Sequence, residues 1–158
     1  MKFNEKTDLI LERTLDVPRS AVWEAWTTPT SMTHWFCPKP WTAPTVEINL
    51  RPGGKFRTVM RSPEGQEHDN TGCFLHIEKG TRLVWTDMLT EDFHPAASGG
   101  FMTAALVLED APGGGTKYTA YAFHRTPEDK ATHEKMGFKE GWGTVVDQLV
   151  AHIKSGKR

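Results

Sequence analysis

A chain of 158 residues, 37% hydrophobic and 25% charged, has the size and balance of one folded domain, and a second independent domain is not expected. Nineteen Lys and Arg stand against twenty Asp and Glu, a net charge of −1 that argues against a general attraction to nucleic acid or an anionic membrane. Two cysteines, Cys37 and Cys73, are too few for the disulfide framework of a secreted domain.

The segment Asp8 to Leu15 is apolar at its centre and then mixed, which predicts a first strand that Asp16-Val17-Pro18 stops. Pro18 suits the first turn of a helix, and Val22, Ala25 and Trp26 follow at helical spacing, so a short helix is expected at about 18–26. Thr28-Pro29 repeats that grammar with Met32, Trp35 and Phe36 as an apolar stripe, giving a second short helix at about 29–35. Beyond Pro44 the texture changes to strands at about 45–50 and 55–61, punctuated by Arg51-Pro52-Gly53-Gly54 and Ser62-Pro63-Glu64-Gly65, where glycine reaches positive φ without steric penalty. Further strands are expected at about 67–78, 82–89, 101–109 and 116–125, the last two joined by Ala111-Pro112-Gly113-Gly114-Gly115.

Thr126-Pro127-Glu128-Asp129 supplies a cap, a first-turn proline and early acids for a C-terminal helix. Phe138, Trp142, Val145, Val146, Leu149 and Ile153 then form one apolar stripe. Gly137, Gly141 and Gly143 each cost a helix roughly 1 kcal/mol relative to Ala, so the regular helix is expected to begin near residue 137. Ser155-Gly156 ends it, and the basic tail Lys157-Arg158 is expected to fray. The order predicts a two-layer α+β domain, with a core at about 8–155, in which one curved antiparallel sheet wraps the long last helix. The N-terminus alternates charges where a signal peptide needs an apolar run, and no segment approaches the roughly 20 apolar residues of a membrane span, so a reduced, cytoplasmic protein is expected.

Several pieces resemble a known family in order and spacing: Val17-Pro18-Arg19-Ser20-Ala21-Val22-Trp23-Glu24-Ala25-Trp26-Thr27, Trp35, Arg51-Pro52-Gly53-Gly54-Lys55-Phe56, Pro63-Glu64-Gly65, Gly72, Arg82-Leu83-Val84-Trp85-Thr86, Gly115-Thr116 and Gly141-Trp142. The chain resembles the Hsp90-ATPase-activator-homologue group of the START-like (Bet v 1-like, SRPBCC) superfamily over about 8–153. The resemblance implies a helix-grip fold of about six to seven strands, with an elongated apolar cavity between sheet and C-terminal helix. It further implies a binder of lipid-like or aromatic small molecules, with cofactor-independent cyclase or aromatase-like enzymes as a minority. The eukaryotic namesake that stimulates Hsp90 carries a separate N-terminal domain for which this length leaves no room, so the family name does not imply chaperone activity here; a chaperone-accessory or stress-related protein-interaction role through the outer face of the sheet, with an Hsp90-type chaperone as partner, is a further alternative.

Candidate ligand-binding residues are Trp35, Phe36, Trp41, Phe56, Met60, Trp85, Tyr118, Phe138 and Trp142, with a filled core as the competing reading. On the last strand, Tyr118, Ala120, Ala122 and His124 are assigned inward, which turns Tyr121 and Phe123 outward to a face that could serve a homodimer. His76, Asp87 and His124 are the polar strand residues that could move a proton if a reaction occurs; none is assigned as catalytic. His34-x-x-Cys37 and Cys73-x-x-His76 offer a zinc-compatible set, but residues 73 and 76 lie three apart on a strand and should face opposite ways, so no metal is expected. Neither a Gly-x-Ser-x-Gly elbow, a phosphate-binding loop nor a dinucleotide fingerprint occurs, and no cofactor is expected.

Overall fold

Strand β1 (Asp8–Leu15) buries Leu9, Leu11 and Leu15, and the exposed Pro18 precedes helices α1 (Arg19–Thr27) and α2 (Pro29–Trp35). Strands β2 (Thr42–Ile48), β3 (Lys55–Arg61), β4 (Glu67–Glu78) and β5 (Arg82–Thr86) follow as a meander. A short ribbon of β6 (Leu89–Thr90) and β7 (His94–Pro95) precedes the hairpin of β8 (Thr103–Ala111) and β9 (Gly115–Phe123). Helices α3 (Pro127–Lys135) and α4 (Phe138–Ser155) complete the chain. The computed structural model describes residues 1–156, and the tail Lys157-Arg158 lies outside them.

Among the described residues, seven strands form one antiparallel sheet in the order β1-β9-β8-β5-β4-β3-β2, which grips α4 as a helix-grip α+β fold. Leu149 and Val146 of α4 are fully buried with Leu106, Leu108, Ala120 and Tyr118 of the sheet and with Val22, Trp26, Met32 and Trp35 of the short helices. Each fully buried aliphatic side chain of this kind contributes roughly 1.5–3 kcal/mol through removal of apolar surface from water. Gln148 ties α4 to α2: its amide Nε2 donates to the carbonyls of Trp35 (3.0 Å) and Cys37 (2.9 Å), and its Oε1 accepts from the Lys39 N–H (3.0 Å). These bonds satisfy carbonyls that the end of α2 leaves without an intrahelical partner.

Tyr118, Ala120, Ala122 and His124 are all buried, while Tyr121 and Phe123 are half-buried on the opposite face. There the two rings stack at 5.7 Å and Phe3 packs against Tyr121 at 6.5 Å. The expected inward direction of this strand therefore holds, and the N-terminal segment covers part of its outer face.

Three features differ from the sequence expectation. The strand expected to reach residue 89 ends at Thr86, because Asp87 Oδ1 accepts the N–H groups of Phe101 (2.7 Å) and Met102 (2.9 Å) and bends the chain into the excursion that carries β6 and β7. In β4 the pairing shifts from Phe74↔Trp85 to His76↔Val84, with Leu75 as the extra residue of a bulge. The bulge turns His76 away from the face of Phe74 and Trp85, so Cys73 and His76 share the outer face, contrary to simple alternation. Even so, no group of three metal-ligating side chains forms among the described residues. Finally, the long helix begins at Phe138, in agreement with the expected start near residue 137, but the segment before it forms a regular helix of its own, α3, separated from α4 where Gly137 adopts φ 87° and ψ 42°.

This left-handed residue sets the angle between α3 and α4, and a Cβ there meets the conformational penalty of roughly 1–2 kcal/mol for an L-residue. Gly137→Ala is expected to lower stability by about 1–2 kcal/mol. Gly141→Ala, inside α4 with nothing within 4 Å of the new methyl group, is expected to raise it by up to about 1 kcal/mol. Urea midpoints of the two variants check both signs, and equal midpoints would contradict the assignment of Gly137 as the hinge.

Candidate functional site

Between the start of α4 and the sheet lie two adjoining pockets, or lobes, that open to the surface, of about 370 and about 430 Å3. Phe36, Met60, Trp85, Met102, His133 and Met136 border both lobes. Trp26, Phe138 and Trp142 wall the first, towards α4; Phe56, Gly72, Asp87 and Phe101 wall the second, towards β3 and β4. Met136 is 72% exposed and marks the rim, whereas Phe56 and Phe138 are buried. Gly72 permits the close approach of β4 to the chain after β5: a Cβ there would lie 2.1 Å from the Thr86 carbonyl oxygen.

The rings are held by one another. Phe56 stacks on Phe74 at 4.9 Å, Trp85 lies 5.3 Å from Trp26 and 5.7 Å from Phe56, and Phe138 meets Trp142 edge to face at 5.5 Å. Offset and tilted contacts of this kind fix ring orientation as well as burying area. Beneath Trp142, the indole Nε1 donates to the hydroxyl of the fully buried Tyr118 at 2.9 Å. Burial raises the Tyr118 pKa above the ordinary phenol value, with the Trp142 hydrogen bond opposing, so the hydroxyl stays protonated.

Of the nine residues expected to bind ligand, Phe36, Phe56, Met60, Trp85, Phe138 and Trp142 are brought together around the cavity. Trp35, 1% exposed, and Tyr118 lie behind the wall in the packed core. Trp41 stands elsewhere, against His68 at 5.5 Å in a groove with Thr33, Cys37 and Pro40, because the turn after α2 carries it past the edge strand. The aromatic residues therefore divide by place: some pack in the core and others line the two pockets.

The polar candidates separate as well. His76 is on the outer face for the reason given by the bulge, 54% exposed and 3.7 Å from Glu78. Asp87 borders the second lobe and spends one oxygen on the Phe101 and Met102 amides. His124 is buried, with Nδ1 2.7 Å from the Thr7 carbonyl and Nε2 2.8 Å from His133 Nδ1. It borders neither lobe.

His133 and Met136 were not among the expected site residues. Helix α3 has no apolar stripe and buries no side chain, so periodicity carries no signal for them. Only the fold shows that α3 lies over the cavity, with the His133 ring between Phe101 (5.3 Å) and Phe138 (5.1 Å). Burial lowers the His133 pKa to about 4; the nearby His124 acts in the same direction, and Asp87 opposes. A second depression, lined by Ala21, Glu24, Ser31 and His152, has no aromatic wall.

An imidazole kept neutral in the folded state and free to protonate near pH 6.5 in the unfolded state stabilises the fold fully above that pH. This contribution is lost as the pH falls from 6.5 towards 4. In a nitrogen-15 NMR titration, His133 is expected to remain neutral at pH 5.5, and the urea midpoint of wild type is expected to fall more steeply between pH 6.5 and 4 than that of His133→Gln. Protonation of His133 near pH 6.5 would contradict this burial argument.

Comparison with known proteins places the geometry. Residues 16–154 match the family described as Activator of Hsp90 ATPase homolog 1-like protein, and the chain belongs to that family. A crystal structure of a Nitrosomonas europaea protein is similar over 98% of both chains, with 44% identity and a TM-score of 0.93. An Arthrobacter aurescens protein shares 25% identity over 98% of this chain and 90% of its own, with a TM-score of 0.81. The AHSA1-like protein of Aeromonas hydrophila, 21% identical over 94% of this chain and 93% of its own at a TM-score of 0.71, shares the fold. A search of curated proteins found no match. No helix among the described residues is long and apolar enough to cross a membrane.

Proposed function

We propose that this member of the Activator of Hsp90 ATPase homolog 1-like family is a small-molecule binding protein that holds an apolar or aromatic ligand between its sheet and α4. The observation that carries this reading is the division of the aromatic residues. Trp35, Phe74 and Tyr118 fill a core at 1% exposure or less, while Phe36, Trp85 and Trp142 remain partly open around the two lobes, with the buried Trp26 as part of the wall of the first. A close-packed domain gains nothing from leaving large rings around a void, whereas such walls suit a flat apolar guest.

Burying about 250 Å2 of apolar ligand surface would contribute roughly 6 kcal/mol before the costs of immobilisation, enough for micromolar to millimolar binding by that term alone. Met60, Met102 and Met136 around the lobes adapt their unbranched side chains to guests of differing outline. Two unpaired thiols, both buried, suit a reducing compartment such as the cytoplasm. The binding reading requires no catalytic residue and no cofactor.

Native mass spectrometry of freshly purified protein, followed by denaturation and identification of what is released, is expected to reveal an apolar passenger at stoichiometric amount. Met60→Trp, which places a larger ring where both lobes meet, is expected to lower occupancy at least about tenfold with little change in melting temperature. An unchanged passenger in this variant would place the ligand elsewhere and overturn the reading.

A further inference from the structure

Thr58, Asn70, Thr71, Thr86, Asp87 and His133 are the polar residues that line the second lobe, and His133 alone of them also lines the first, so the hydrogen-bond pattern at His133 bears on which chemistry both accept. His124 Nδ1 faces the Thr7 carbonyl at 2.7 Å, and a carbonyl only accepts, so this nitrogen carries the proton. With its proton on Nδ1, His124 presents Nε2 as an acceptor, and at 2.8 Å its partner, His133 Nδ1, is the donor. The second imidazole, neutral in turn, is left with its proton on Nδ1 and a bare lone pair on Nε2. His133 borders both lobes, and no described residue donates to that nitrogen. Two successive bonds from a backbone carbonyl thus fix the tautomer, much as an outer-shell partner orients a metal-ligating histidine.

The remaining charge beside His133 is negative. Asp87 borders the second lobe close enough to oppose the lowered His133 pKa, and neither Lys nor Arg borders either lobe. A carboxylate or phosphate entering beside His133 would lose its hydration and meet an acceptor and an anion; Thr58, Asn70 and Thr71 offer it neutral donors only, and no cation pairs with it.

Resting on the binding reading above, we infer that His133 Nε2 is the polar anchor of the cavity, selecting neutral aromatic ligands that carry a hydroxyl donor, of the phenol class, and rejecting aromatic or fatty carboxylates. The ring system of such a ligand lies among Phe36, Trp85 and Trp142, and its O–H donates to His133. The role of His124 is positioning, through the tautomer it imposes.

Equilibrium dialysis at pH 7 with naphthalene, 2-naphthol and 2-naphthoate tests the inference. Naphthol is expected to bind about fivefold tighter than naphthalene, the scale of one neutral hydrogen bond, and naphthoate at least about tenfold weaker than naphthol. His133→Phe is expected to bring naphthol to within about twofold of naphthalene when both are measured on that variant, and His133→Gln, which restores an acceptor, to recover most of the preference. Should His133→Phe fold poorly, two-bond proton–nitrogen spectra of the wild type give an independent readout: 2-naphthol is expected to shift the His133 Nε2 resonance and naphthalene to leave it in place. Naphthoate binding as tightly as naphthol, or a naphthol preference that survives loss of His133 with no shift at Nε2, overturns the inference while the cavity reading stands. Failure of all three compounds to bind removes the cavity reading and this inference together.

Discussion

Helix α4 touches the sheet along only part of its length, and the rest of the concave face follows from that. Val146 and Leu149 seat its middle in the core, and Gln148 locks the same turn to the end of α2 through three hydrogen bonds. One turn earlier, Trp142 joins a hydrogen bond to Tyr118 with ring contacts to Trp26 at 6.3 Å and Trp85 at 6.4 Å, and the helix start borders the first lobe. Because the middle of the helix already buries the aliphatic stripe, its first turns can border a pocket without loss of the main hydrophobic stabilisation.

The hinge at Gly137 has a second consequence. By ending α3 it lets a helix with no apolar face lie over the mouth, which brings a titratable side chain to a place where burial keeps it neutral. The adjoining aromatic rings hold the imidazole edge to face, and the low dielectric strengthens each hydrogen bond in the Thr7–His124–His133 chain. The first lobe is therefore apolar on most of its wall with His133 as an ordered polar group, while the second adds Thr58, Asn70, Thr71, Thr86 and Asp87.

Members of one fold family differ in function through the side chains at such sites, not through the architecture. The charges of this protein illustrate the division of labour. Arg57 bridges Glu47 and Asp69 on the outside of the sheet, and Arg19 joins Asp110 and the Gly80 carbonyl where two turns meet α1, all at solvent-exposed positions away from the lobes. Such pairs set register and surface solubility with little effect on binding energy inside.

Local sequence determined the elements: prolines at 18, 29 and 127 mark the helix starts, Pro-Gly turns separate the strands, and the stripe from Phe138 to Ile153 defines the gripped helix. It also determined which residues of β9 share a face, since Ala120 and Ala122 alternate strictly with Tyr121 and Phe123, while the burial of the alanine face is seen in the fold. Three things were decided only by the tertiary structure. The bulge at Leu75 reverses the expected direction of His76, because one inserted residue changes the parity of a strand and leaves no compositional mark. The split between core and wall sends Trp35 and Tyr118 behind the cavity and Trp41 outside it, since equal hydrophobicity does not encode distance from the seated helix. His133 acquires its role from His124, nine residues earlier and on a different element, and from a Thr7 carbonyl 117 residues before that; a hydrogen-bonded chain across such separations exists only once the sheet has closed on the helix.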